Sequence, residues 1–191
     1  MVRKTGEHIG LDIEQLDGMA ERLHAYDVRD GGWVHEDKGY EFNEKHVLTH
    51  LISTFIGKQF NNPETVRQEI APDMAQYAIR FARWTGLDTE DVLTLAGNNW
   101  RWGRSLAQVN SGVKAELLYV IDIVNGSSHS HDHEDLREVA VQAEPHTALK
   151  VGGILLSGAA MQADVHNFDL VEAFDSRITV LRERFDVPEL V

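Results

Sequence analysis

Two pairs of metal-ligand side chains occur at helical spacing in the first half of the sequence. His46 and His50 are four residues apart, as are Glu69 and Asp73. Residues four apart lie on one side of an α-helix, and imidazoles and carboxylates from neighbouring helices can together hold a divalent cation. The spacing therefore indicates a four-ligand metal site. The same spacing also fits a site made by Glu69 and Asp73 alone, a hydrogen-bonded contact between helices, or a solvated helix face without metal.

A second group of imidazoles lies in residues 125–133, a low-complexity run rich in Gly, Ser and His. His129, His131 and His133 alternate with other polar residues, among them Asp132. Alternating imidazoles and carboxylates capture Zn²⁺ or Ni²⁺, but an ordered site needs fixed ligands, which a Gly- and Ser-rich loop does not provide. The run fits either a second metal site or a solvated linker with incidental metal affinity.

A predicted helix in the middle of the chain ends in amide and guanidinium groups. Asn98 and Arg101 close an apolar stretch that begins at the predicted cap Asp88. Amide N–H groups and a guanidinium suit the oxygens of a phosphate group. A cation near the C-terminus of a helix also compensates the helix dipole without binding any ligand. Both interpretations stay open.

Charge is the strongest compositional feature of the 191-residue chain. Asp and Glu number 31 against 18 Lys and Arg, which gives a formal net charge of −13, and only six of the 18 are lysines. An acidic surface with few lysines is typical of proteins that work in concentrated salt, where ions screen the repulsion between carboxylates. It predicts a halophilic protein whose stability rises with KCl; an ordinary acidic protein is the alternative. The same charge opposes duplex nucleic acid as a partner.

The sequence contains no cysteine, which excludes disulfides, thiolate metal sites and cysteine nucleophiles and favours a reducing compartment. Its longest apolar stretch, Val151–Met161, is too short for a transmembrane helix of about 20 residues. The residues after Met1 lack the apolar stretch of a signal peptide. We therefore expect a cytoplasmic protein with no membrane partner.

Apolar residues recur at helical spacing along almost the whole chain, which predicts an all-α fold. Short connections favour an antiparallel bundle of about seven helices. The predicted helices cover about residues 11–26, 43–60, 61–84, 88–102, 111–124, 134–163 and 169–185. Pro72 is expected to kink or split the third of them, because an interior proline removes a backbone hydrogen bond. The small residues within 152–160 are expected at a close contact between helices.

The pattern divides the chain into an N-terminal helix and loop, residues 1–42, and two helical units, residues 43–104 and 105–191, packed as one globule. Met74–Trp102 and Ile154–Arg184 share one pattern: an apolar helix, an Asp cap and a second apolar helix. This similarity predicts two related helical halves. Any two capped pairs of amphipathic helices look alike, so chance similarity is the alternative.

Asp73 opens an apolar helix that ends at a Gly-Leu-Asp cap, residues 86–88, and the following helix ends in Asn and Arg. This succession resembles the third and fourth helices of the MazG-like all-α nucleoside triphosphate pyrophosphohydrolases. The last predicted helix, residues 169–185, is similar to the closing helix of that family. The resemblance covers residues 43–104 well and residues 112–186 loosely.

The MazG-like family holds Mg²⁺ with a Glu-x-x-Glu motif followed by a Glu-x-x-Asp motif. In this sequence Asp73 matches the final Asp, whereas Ile70 occupies the Glu position of the second motif and Glu69 stands one residue early. The resemblance implies that Asp73 and Glu69 bind Mg²⁺ or Mn²⁺. It also implies help from a carboxylate or an imidazole of the second predicted helix, residues 43–60, such as His46 or His50.

The same resemblance implies an enzyme that hydrolyses a nucleoside triphosphate to the monophosphate and pyrophosphate, with Asp73 and Glu69 as catalytic residues. Asn98 and Arg101 would hold phosphate oxygens, and Trp100 or Trp102 would stack on the base. We also expect a homo-oligomer. The altered motif supports a second interpretation, a catalytically inactive MazG-like or other helical bundle that acts in interaction or assembly.

Overall fold

A computed structural model describes residues 9–28, 62–85, 87–101 and 145–185, together with residues 105, 107, 108 and 111. This part of the chain contains five α-helices and no strand. The helices are α1 (Ile13–Asp27), α2 (Ala71–Thr85), α3 (Thr89–Arg101), α4 (Pro145–Val165) and α5 (Leu170–Phe185). The predicted all-α fold is confirmed for these residues. The count of seven helices, their antiparallel arrangement and the division into three regions stay predictions.

Helix α1 begins at a capping box. The side chain of Asp12 accepts a hydrogen bond from the backbone N–H of Gln15 at 2.8 Å, and the side chain of Gln15 accepts one from the N–H of Asp12 at 2.9 Å. These bonds satisfy N–H groups that have no partner within the first helical turn. The apolar side of α1 is buried through Leu16, Met19 and Leu23. The helix predicted near the N-terminus is confirmed.

The helix predicted over residues 61–84 continues through Pro72 with a local change of geometry. It begins with a short α-helical turn, Pro63–Thr65, and Val66–Ile70 then forms a π-helical segment that leads into α2. The last hydrogen bond of this segment runs from the N–H of Ala71 to the carbonyl of Val66. Pro72 has no N–H and cannot donate the next bond of an α-helix. The helix therefore does not end at Pro72. It continues into α2, and the π turn lies directly before the proline.

Helix α2 is the central helix of the described part. Residues 71–80 are all buried, and α2 contacts each of the other four helices. Helix α4 packs along both α2 and α3, and α1 packs against α3 and α5. The core includes Met74 of α2, Leu93 of α3 and Phe174 of α5. Because α2 has no solvent face along these residues, its polar side chains must find partners inside the protein.

Helix α4 approaches α3 closely at one glycine. Residues 152–160 are all buried. A Cβ atom added to Gly153 would lie 2.8 Å from the side chain of Leu95, whereas one added to Gly152 would lie 3.5 Å from Val92. The first distance is shorter than any ordinary carbon–carbon contact, so the absence of a side chain at Gly153 permits this approach. The close helix contact expected for these small residues is confirmed.

Helices α2 and α3, and helices α4 and α5, form two pairs at the positions of the predicted related halves. The second helix of each pair begins at an Asp cap: Asp88 accepts from the N–H of Glu90 at 3.0 Å, and Asp169 accepts from the N–H of Glu172 at 2.9 Å. Helix α3 packs more extensively on α4 than on α2, and α5 packs more extensively on α2 than on α4. Two related halves that face each other would pack in this crossed manner. A duplication of the chain stays a prediction.

Candidate functional site

The predicted ligands Glu69 and Asp73 lie about one helical turn apart, at the junction between the π-helical segment and α2. Asp73 is in the first turn of α2 and is 5% exposed. Glu69 belongs to the π-helical segment and is half-buried. A buried carboxylate stays ionised only with a cation or hydrogen-bond donors beside it. The partner of Asp73 therefore decides what this site can do.

Arg177 of α5 is that partner. Its Nε donates to Oδ1 of Asp73 at 2.8 Å, and its Nη2 donates to Oδ2 at 3.0 Å. The guanidinium thus engages both carboxylate oxygens in the bidentate geometry that arginine forms with carboxylates. The side chains of Arg177 and Asp73 are 12% and 6% exposed, so solvent ions screen the pair weakly. The pair joins α2 to α5.

A second ion pair of the same form joins α1 to α2. Arg80 donates from Nη2 to Oδ1 of Asp27 at 2.7 Å and from Nε to Oδ2 at 3.0 Å, and both residues are buried. Nη1 of Arg80 lies 3.5 Å from Oε1 of Gln76. The guanidinium is also 5.5 Å from the centre of the Tyr77 ring, within the range of a cation–π contact. These contacts fix the last residue of α1 against the middle of α2.

The polar residues of the central helix form a row, which we name the α2 polar row: Asp73, Gln76, Tyr77 and Arg80. Their spacing of i, i+3, i+4 and i+7 places them on one side of α2. Nε2 of Gln76 is buried and has no hydrogen-bond partner among the described residues. The negative and positive charges of the row are neutralised by residues of α5 and α1 respectively. The row therefore joins three helices.

Burial shifts the ionisation of two members of the α2 polar row. Desolvation alone would lower the pKa of Arg80, but the charge of Asp27 and its hydrogen bonds outweigh desolvation and raise that pKa above its ordinary value. Burial raises the pKa of the Tyr77 phenol well above its ordinary value of 10.0, and the positive charge of Arg80 offsets part of the rise. At neutral pH, Arg80 is therefore charged and Tyr77 is protonated.

The raised pKa of Tyr77 predicts a loss of stability in alkaline solution. The folded protein favours the protonated phenol, so this contribution is complete below the ordinary pKa of 10.0 and is lost as the pH rises towards the folded-state pKa. Between about pH 10 and pH 11, the free energy of unfolding of the wild type should fall by about 1 kcal/mol more than that of Tyr77→Phe. Urea denaturation measures both proteins, and parallel pH profiles would contradict the prediction.

The remaining predicted site residues are described in part or not at all. Asn98 is half-buried in α3, and Trp100 and Arg101 occupy the last turn of that helix, their side chains lying outside the description. The imidazoles of the two predicted metal sites, at positions 46, 50, 129, 131 and 133, lie outside the described residues. Of the predicted metal ligands, the structure describes Glu69 and Asp73, which lie at adjacent turns. The positions of the other predicted ligands relative to them stay predictions.

As arranged, the described residues do not fit a divalent cation at Asp73. Both oxygens of Asp73 accept hydrogen bonds from Arg177. Mg²⁺ or Mn²⁺ bound to these oxygens would either displace that guanidinium or lie beside its positive charge, which already neutralises the carboxylate. Within the described ranges, no three or more His, Asp and Glu side chains converge as a metal-binding group.

No family model, curated protein or solved structure matches this chain. The likeness to the MazG-like pyrophosphohydrolases therefore stays a prediction that depends on Asp73 and the cap at residues 86–88. Among the described helices, none combines the length and the apolar character that a membrane-spanning segment requires. The α2 polar row, with its two ion pairs, is therefore the feature of the described residues that bears most directly on function.

Proposed function

We propose that this chain is a catalytically inactive, MazG-like helical bundle that acts in interaction or assembly. The observation that carries the proposal is the bidentate ion pair between Asp73 and Arg177. Asp73 is the one residue that matches the metal-binding motif of the family, and a guanidinium engages both of its oxygens. A carboxylate used in this way stabilises the packing of α2 on α5 and does not offer its charge to a metal.

The energetics of the pair support a structural role for Asp73. Removing one partner of a buried ion pair leaves an uncompensated charge in the core and costs about 3–5 kcal/mol. A cation that bound Asp73 would either displace Arg177, whose side chain is 12% exposed, or lie beside its positive charge. Metal binding would thus have to offset either the loss of this ion pair or the repulsion between two cations.

The second buried ion pair supports the same proposal. Among the described residues, the buried carboxylates are Asp27 and Asp73, and each is bound to an arginine of another helix. Buried polar pairs of this kind can determine which helices pack together and in which register. The buried charges of the described residues therefore join helices within the fold, and both buried carboxylates already have an arginine beside them.

The composition of the chain indicates the conditions in which the protein works. The net charge of −13 and the scarcity of lysine support a halophilic protein and oppose duplex nucleic acid as its partner. The absence of cysteine is compatible with a reducing cytoplasm. We place the chain in the cytoplasm as an antiparallel helical bundle that forms a homo-oligomer. Light scattering in concentrated KCl tests the oligomer, which should have a multiple of the mass of one chain.

The π-helical segment favours a second candidate, a nucleoside triphosphate pyrophosphohydrolase. The family separates its Glu and Asp by two residues, and this chain has one residue more between Glu69 and Asp73. A π turn takes up one residue more than an α turn, and π-helical segments occur often at functional sites. Val66–Ile70 forms such a segment, and Glu69 lies within it, about one turn before Asp73. Mg²⁺ or Mn²⁺ would be the cofactor of this candidate.

Pyrophosphate release separates the two candidates. The wild type and Asp73→Asn are incubated with a panel of nucleoside triphosphates, with Mg²⁺ or Mn²⁺, in concentrated KCl. Asp175→Asn is a matched control, because Asp175 lies on α5 and pairs with Arg22 at the surface. We expect no release from any of the three proteins. Release that Asp73→Asn abolishes and Asp175→Asn retains would contradict the proposal and support the hydrolase.

A further inference from the structure

The guanidinium of Arg177 supplies the positive charge at Asp73 that a metal cation would otherwise supply. It lies against both oxygens of a side chain that is 6% exposed. It comes from α5, which is distant in sequence from α2. Helix α5 also forms ion pairs at the surface, where Asp175 meets Arg22 with the two side chains 45% and 44% exposed. Arg177 of the buried pair is therefore the residue to test, and Arg22 of the surface pair is its control.

We propose that Arg177 is an internal counter-cation that excludes divalent metal from Asp73, and that Asp73 with Glu69 accepts such a cation once the charge of Arg177 is removed. The buried carboxylate requires a positive charge beside it, and a guanidinium and a divalent cation compete for the same oxygens. Glu69, half-buried and about one turn away, supplies a second carboxylate. Among the described residues, Arg177 is the cation whose charge opposes a metal at this site.

Arg177→Met tests the proposal, because methionine fills a similar space without charge or hydrogen-bond donors. Without metal, the variant should melt roughly 6–20 °C below the wild type, since it leaves Asp73 in the core without its cation. Mn²⁺ at about 100 times its dissociation constant should then raise the melting temperature of the variant by roughly 5–10 °C. In the wild type, Mn²⁺ should not raise the melting temperature by binding at Asp73, because Arg177 is present there.

Two matched variants assign the Mn²⁺ response to Asp73. The double variant Asp73→Asn with Arg177→Met has no carboxylate at the site and should show no Mn²⁺ response beyond that of the wild type. Arg22→Met removes the arginine of the surface pair with Asp175 and should also show none. A response of similar size in either variant would overturn the proposal, because the cation would then bind elsewhere on the acidic surface.

Protonation of Asp73 is the outcome that competes with metal binding. If Arg177→Met recovers its stability as the pH is lowered and does not respond to Mn²⁺, the proposal is wrong. If the variant does not fold, calorimetric Mn²⁺ titration of the wild type and of Asp73→Asn still tests the exclusion of metal. Equal titrations support the proposal, and additional binding by the wild type overturns it.

The inference goes beyond the proposed function, and the two can fail separately. Pyrophosphate release by the wild type would refute the absence of catalysis and would not depend on the Mn²⁺ response of Arg177→Met. A missing Mn²⁺ response in folded Arg177→Met would refute the counter-cation and leave the proposed interaction or assembly role unaffected.

Discussion

Arg80→Met is expected to lower the free energy of unfolding by about 3–5 kcal/mol. The substitution removes the guanidinium that donates to both oxygens of Asp27. Asp27 is 1% exposed, so its carboxylate would remain in the core without that cation. Urea denaturation in concentrated KCl measures the change, because salt screens the surface charges and leaves the buried pair largely unscreened.

Two further variants separate the buried charge from other effects of removing an arginine. Arg83 is exposed on the same helix, and Arg83→Met should change little, since surface substitutions usually stay within about 0.5 kcal/mol. Asp27→Leu combined with Arg80→Met replaces both charges by apolar groups and should recover most of the loss. A cost for Arg80→Met no larger than that for Arg83→Met would contradict the structural role of the pair.

Gly153→Ala is expected to lower the free energy of unfolding by about 1–3 kcal/mol. The new Cβ would lie 2.8 Å from the Cβ, Cγ and Cδ2 atoms of Leu95, so α3 or α4 would have to move. Alanine is the better helix former by about 1 kcal/mol, so a loss of stability would show that the contact outweighs helix propensity. Thermal unfolding followed by circular dichroism measures the change.

Gly152→Ala is the matched control, because its Cβ would lie 3.5 Å from Val92 at an ordinary contact distance. It should be neutral or stabilising by up to about 1 kcal/mol. Leu95→Gly added to Gly153→Ala removes all three side-chain atoms that the new Cβ would meet, so the double variant should lose less than the sum of the two single losses. Stabilisation by Gly153→Ala equal to that by Gly152→Ala would contradict the close approach of α3 and α4.

Helix positions could be predicted from the sequence because their signals are local. The caps Asp88 and Asp169 are recognisable from the residues that follow them, and both accept the expected backbone hydrogen bond. The apolar spacing of α1 likewise needs no knowledge of the rest of the chain. The π-helical geometry at Val66–Ile70 could not be predicted, because the periodicity of a single turn does not distinguish it from an α-helix.

The ion pairs could not be predicted, because they depend on which helices become neighbours. Asp27 and Arg80 are 53 residues apart in sequence, and Asp73 and Arg177 are 104 apart. One signal was present: polar residues at i, i+3, i+4 and i+7 within a helix whose other residues are mostly apolar. Such a row indicates buried polar side chains that need partners, but not which residues provide them. The sequence therefore identified Asp73 as unusual and could not identify Arg177.

The coupling free energy between Asp73 and Arg177 measures whether Asp73 stabilises the fold through Arg177. A double-mutant cycle compares the wild type with Asp73→Asn, Arg177→Met and the double variant by urea denaturation in metal-free buffer. If Asp73 acts through Arg177 to join α2 to α5, each single variant loses stability and the coupling is at least about 1 kcal/mol. A coupling near zero, with Asp73→Asn as stable as the wild type, would contradict the structural role of Asp73.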